Sequence, residues 1–150
     1  MWHDAAGLHP SIDSLKAEKR QTMASHAPVY DKKEQLEKLQ AACIPGEQVY
    51  GAFDMKGGGT GFLGVTSYRI VIYDKAFMRK MKAIVSIPYS RIHAIAAEDE
   101  SGLLTGRGFF GSSRIAIKAG TEEFEFEFRG ADKAHIAHMM ILEMMVRSGH

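Results

Sequence analysis

The stretch Glu122-Glu123-Phe124-Glu125-Phe126-Glu127-Phe128-Arg129 alternates aromatic and charged side chains with a strict period of two. Only an extended strand sends such a series to two opposite faces, so the phenylalanines point to a core and the glutamates to water or basic neighbours. Arg114 to Ala119 precedes it across Gly120 and completes a hairpin, with Arg114 and Lys118 as cross-strand partners for the glutamates. Beyond the strand, Asp132 is expected to cap a helix running from about Lys133 to Arg147.

Upstream of this hairpin, β-branched and aromatic runs alternate with turn residues. Gln48 to Met55, Phe62 to Thr66, Tyr68 to Asp74, Ala83 to Ile87 and Arg91 to Ala97 read as strands. Pro88-Tyr89 implies a bend or an edge, and Glu98 to Gly111 reads as a loop rich in glycine. Before Ile44-Pro45-Gly46 the apolar positions are sparse and helically spaced. Ser11 is expected to cap a short helix carrying Ile12, Leu15 and Met23. Asp31 followed by Glu34 reads as a capping-box variant that opens a second helix through Leu36, Leu39 and Cys43. Those three positions form a narrow stripe that cannot stabilise a lone helix, so it must dock on something. The chain therefore divides into a helical N-terminal arm, 1–46, and a mainly β domain, 47–150.

Seven strands followed by one helix is the element order of the pleckstrin-homology superfold, and the local sequence agrees. Gly61-Phe62-Leu63-Gly64-Val65-Thr66-Ser67-Tyr68-Arg69-Ile70-Val71-Ile72-Tyr73-Asp74 resembles the "GxxxVTxxRLxxxD" run of bacterial pleckstrin-homology-like and GRAM-type domains. Ser86-Ile87-Pro88-Tyr89-Ser90-Arg91-Ile92 resembles the "SIPYxxI" segment of the bacterial families, the YokE-like group among them. The resemblance covers roughly Glu47 to Met145. It implies a small seven-stranded barrel capped by the C-terminal helix, lipid-headgroup or protein binding, and self-assembly. It supplies no catalytic residues. Thr66 and Arg69 are expected to set a turn and a strand edge, and Ile87-Pro88-Tyr89 a strand bend.

Composition narrows the function classes. A net charge of +1 gives no bulk electrostatic case for nucleic acid or for a membrane surface, so any such binding needs a local patch. The single cysteine, Cys43, cannot form an intrachain disulfide, which together with a start lacking a basic and an apolar signal region points to a reducing, cytoplasmic setting. No apolar run approaches the roughly 20 residues that span a bilayer.

Two candidate binding features remain. Lys75, Arg79, Lys80 and Lys82 form the one dense basic cluster, interleaved with Phe77, Met78 and Met81, and with Lys56 on a neighbouring loop they suit an anionic membrane surface. The last helix is the other. Ala134, Ala137, Ile141, Met144 and Met145 share one face at 3.6 residues per turn, yet Ile136, Met139, Met140 and Val146 lie on the remaining sides. A helix apolar nearly all round needs a second cover, from the arm, another subunit or a ligand. Ile136, Met139, Met140 and Val146 are accordingly the expected interface, favouring a homo-oligomer or a protein partner.

Alternatives are weaker. Gly57-Gly58-Gly59-Thr60-Gly61 leads into a strand and lacks the lysine and helix of a phosphate loop. His135 and His138 lie three apart on a helix without a third ligand in any recognisable zinc motif, so no metal site is expected. Cys43 has no base or oxyanion group near it in sequence. The expectation is a binding or scaffold module without enzymatic activity or cofactor.

Overall fold

The structure, a computed structural model, describes residues 11, 13, 14, 27–57, 61–74, 84–99 and 111–149. In chain order these form β1 (Val29–Tyr30), α1 (Lys33–Ala41), β2 (Val49–Asp54), β3 (Phe62–Thr66), β4 (Arg69–Tyr73), β5 (Ile84–Pro88), a 3₁₀ turn (Tyr89–Arg91), β6 (Ile92–Asp99), β7 (Ser112–Ala119), β8 (Glu122–Arg129) and α2 (Lys133–Arg147). The seven expected strands are all present. An eighth, β1, pairs in parallel with β2, Val29 opposite Gly51 and Tyr30 opposite Ala52. Two residues leave no periodicity to read.

The strands form two sheets, β1-β2-β3-β4-β5 and β6-β7-β8, and not the closed barrel expected. They touch at one corner, where Met55 bridges Phe128 and the Lys56 N–H donates to the Glu127 carbonyl at 2.6 Å. On the other side an open cleft of about 320 Å³ separates β5 from the β7–β8 turn, with Val85, Ile87, Gly120 and Phe124 in its walls. Phe128 is fully buried, whereas Phe124 and Phe126 are only half-buried and stack on each other at 6.5 Å. The alternation put all three on the inner face; the missing closure leaves two of them near its rim.

The main core lies between the sheets and α2. Phe53, Leu63, Val65, Ile70, Ile72, Ile115, Ile117 and Phe128 meet Ala134, Ala137, Ile141 and Met144 there. Asp132 occupies the N-cap position of α2, but its side chain makes no capping bond. The hydroxyl of Ser113 on β7 accepts from the Ala134 N–H at 2.9 Å and donates to the Gly130 carbonyl at 2.8 Å. One sheet residue thus stitches the helix start to the strand that precedes it.

A second, smaller core explains why every residue of β3 is buried. α1 packs on the outer face of the five-stranded sheet, where Leu39 meets Ala52, Phe62 and Val71. β3 is covered on both sides, so its sequence is a continuous run and not an alternation. Gly64 makes this possible: a Cβ there would stand 2.6 Å from Leu39 Cδ2. The stripe of Leu36 and Leu39 docks as its narrowness requires, with Cys43 half-buried at its end.

Entry to α1 differs from the capping box expected. Lys32 is the N-cap and makes no side-chain cap bond. Asp31 instead accepts from the Asp54 N–H at 2.9 Å and pairs with Lys133 at the start of α2. Of the first expected helix only Ser11, Asp13 and Ser14 are described, and there the Ser11 hydroxyl accepts from the Ser14 N–H at 3.2 Å, as a cap does. Ile12, Leu15 and Met23 lie outside the described residues, so the helical arm is represented by α1 alone.

Candidate functional site

α2 presents a side opposite its buried one. Met139 is 51% exposed, Leu142 39% and Val146 65%. At i, i+3 and i+7 they form a single stripe along the helix. Ile136 and Met140, expected beside them, are half-buried against the main core. The interface candidates therefore split, two serving the core and two facing outward, and Leu142 joins the outward pair. Leu142 was legible from its position on the helical wheel once the buried face was fixed by Ala134, Ala137, Ile141 and Met144. The Glu143 carboxylate pairs with Arg147 at 2.9 Å one turn on, so a charged flank is already satisfied within the helix.

The basic candidates fare differently. Lys75, Arg79, Lys80 and Lys82 lie outside the described residues. Lys56 is described and is paired with the Glu127 carboxylate at 2.9 Å. That bond, a second from Ser112 and the charge of Arg114 hold the Glu127 carboxyl below its ordinary value. The register places Arg114 opposite Glu127 and Lys118 opposite Glu123, so the outer face of β7–β8 is a ladder of opposite charges.

The two sequence blocks that carry the family resemblance meet in one network. The Thr66 hydroxyl accepts from the N–H groups of Tyr68 and Arg69, at 3.2 and 3.1 Å, and so closes the β3–β4 turn. It lies 2.6 Å from Glu47 Oε1, to which it donates. The Arg69 guanidinium forks onto both oxygens of Glu47, donates to Ser86 Oγ at 2.7 Å, and reaches the Ala42 carbonyl beyond α1 at 2.8 Å. The Tyr89 hydroxyl donates to the Thr66 carbonyl at 2.6 Å. Thr66, Arg69, Ser86 and Tyr89 belong to the quoted motifs; Glu47, the acceptor at the centre, is the residue that sequence reasoning missed.

The electrostatics follow from burial. Burial alone would raise the Glu47 carboxyl, but the bonds from Arg69, Thr66 and the Ile44 N–H outweigh it and hold the group at about 2. Burial pushes the Tyr89 phenol well above its ordinary 10.0. Burial first, then the Glu47 charge, raise the Cys43 thiol, whose S–H donates to the Leu39 carbonyl at 3.3 Å. A raised thiol is a poor nucleophile. The network is a joint among α1, the β3–β4 turn and β5, with its polar groups used up in holding those elements together.

A second polar joint lies at the other end of α1. Buried Gln35 donates to Asp54 Oδ1 at 2.7 Å, and Lys32 pairs with the same oxygen at 3.0 Å. Among the described residues no three His, Cys, Asp or Glu side chains gather to hold a metal, and no helix is long and apolar enough to cross a membrane.

No family model matches the chain, and no curated protein compared with it matches. Solved structures do. A pleckstrin-homology domain from Shewanella amazonensis superposes with a TM-score of 0.51 at 19% identity, over 81% of this chain and 94% of that one. A DUF1696 family protein with a pleckstrin-homology domain, from Shewanella loihica, gives 0.51 at 17% identity, over 77% of this chain and 97% of that one. At such identities the likeness is one of fold: the chain has a pleckstrin-homology-like architecture, with two sheets and a C-terminal helix.

Proposed function

We propose that the chain is a non-enzymatic binding module that associates with a second copy of itself through the outward stripe of α2. The exposed row Met139, Leu142 and Val146 supports this reading. Its i, i+3, i+7 spacing is that of a seam between two packed helices, and a two-fold axis across it would bury the same three side chains from each copy. Neighbouring Glu143 and Arg147 satisfy each other, so the contact leaves no unpaired charge behind. Three side chains make a small interface, well below the roughly 800 Å² per partner of a standard one, so the association is weak and depends on concentration.

The alternative, attachment to anionic membrane through Lys75, Arg79, Lys80 and Lys82, gains no support from Lys56, which is engaged with Glu127. Met139→Glu and Val146→Glu, each with unchanged far-ultraviolet circular dichroism, are expected to abolish self-association. Association that survives both substitutions refutes the assignment to α2. Vesicle sedimentation of wild type against Arg79→Glu decides the membrane alternative.

A further inference from the structure

We infer that α1 is a releasable strap, which opens as a unit from a β-sheet that stays folded and uncovers an apolar groove on the outer face of that sheet. Little of α1 is apolar. It has nine residues, fewer than an isolated helix needs in water, and buries two leucines, Leu36 and Leu39. Lys38 adds a cation–π contact, 5.7 Å from the centre of the Tyr73 ring, and the other attachments are polar and sit at the two ends. Lys32 and Gln35 hold Asp54 at the start, and the Arg69 guanidinium holds the Ala42 carbonyl at the finish.

The sheet beneath does not need α1 to exist. β2, β3, β4 and β5 are joined by antiparallel ladders, interrupted once by a shift of register between Val49 and Gly51, and the main core lies on their other face under α2. The cluster under α1 is separate from that core. Opening therefore costs the small cluster, the Lys38–Tyr73 contact and the two polar ends and leaves the larger structure in place, which is the pattern of a sub-global opening unit. Hinges flank the helix on both sides. Ahead of it β1 pairs through two residues and Asp31 is fixed to Asp54 and Lys133, so the joint falls between Asp31 and Lys32; behind it exposed Pro45 and Gly46, the latter at a φ of 84° that suits glycine, lead to Glu47. Glu47 stays clamped to Arg69 and holds Ile44 through two hydrogen bonds, so the break falls between Ala42 and Ile44.

What release uncovers is a strip of Ala52, Phe62 and Val71 with a notch at Gly64, sized by the Leu39 side chain that fills it. The inference is independent of self-association through α2, since it concerns the opposite face of the sheet.

Hydrogen exchange followed by mass spectrometry on the full chain tests this. In the wild type, amides of residues 36–42 are expected to be protected, yet to exchange about a hundredfold faster than those of β3 and β4. Phe128→Leu weakens the main core; it should speed β3 and β4 about tenfold and leave residues 36–42 unchanged. Leu39→Ala should speed residues 36–42. Should Phe128→Leu fail to fold, Ile117→Val serves the same purpose. Equal rates for α1 and β3–β4 in the wild type, rising together in the core variant, overturn the inference, because α1 then opens only when the whole domain unfolds. Unprotected amides in residues 36–42 overturn it too, since the strap would not be docked.

Discussion

Arg69 grips Glu47 through two parallel hydrogen bonds, Nε to Oε1 at 2.9 Å and Nη2 to Oε2 at 3.0 Å, and the glutamate side chain it holds has no exposed surface. Removing the guanidinium strands a buried carboxylate and releases Ser86 and the Ala42 carbonyl together. Arg69→Ala is expected to lower stability by about 3 kcal/mol, read from urea unfolding. Arg69→Lys should recover only part of this, because an ammonium cannot make the fork.

The same pair sets a pH dependence. The folded Glu47 carboxyl lies at about 2, below its ordinary 4.5. A depressed folded value stabilises the fold fully above the unfolded value and is lost as pH falls through the folded one. Stability should therefore decline between about pH 4.5 and 2, and the decline should flatten in Glu47→Gln relative to wild type. Equal slopes in the two proteins would count against the network as drawn.

At the alkaline end Tyr89 acts with the opposite sign. Its phenol is raised by burial, so the fold is favoured below the ordinary value of 10.0 and loses that contribution as pH climbs above it. Ultraviolet titration should find one of the five tyrosines silent until the protein unfolds. Tyr89→Phe should remove that silent group and cost about 1 kcal/mol through the lost bond to the Thr66 carbonyl.

Gly64→Ala drives a Cβ into Leu39 and should destabilise by about 1–3 kcal/mol. Leu39→Ala alone should cost about 2–4 kcal/mol for the emptied notch. Combined, the two should cost clearly less than their sum, since the new methyl enters the space the leucine leaves. Additive costs in thermal or urea unfolding would contradict the packing of α1 on β3.

Much of this architecture was legible in local pattern. The Phe124-Phe126-Phe128 alternation and the Gly120 turn gave β7 and β8, and the spacing of Ala134, Ala137, Ile141 and Met144 gave the buried face of α2. What the pattern withheld was every feature made by residues distant in sequence. Glu47 looks like any surface acid until Arg69 and Thr66 fold over it. Asp31 and Asp132 have the sequence of helix caps, but Asp31 turns to Asp54 and Lys133, while Ser113 from another strand serves α2. Barrel closure was what the family resemblance implied, yet it depends on how far each sheet twists, which no period-two pattern encodes.

The two sides of α2 should behave as different materials. Met144→Ala removes a buried core side chain and should cost about 2–4 kcal/mol. Met139→Ala should leave the unfolding free energy of the dilute monomer within about 0.5 kcal/mol of wild type.

The central claim is that the outward row of α2 joins two copies, and the absolute mass of the unmodified chain, by light scattering on a sizing column across a concentration series, tests it most directly. Self-association through this row gives a mass that starts near 16.6 kDa and climbs toward twice that value with concentration. A mass fixed at 16.6 kDa throughout the micromolar to millimolar range would contradict it.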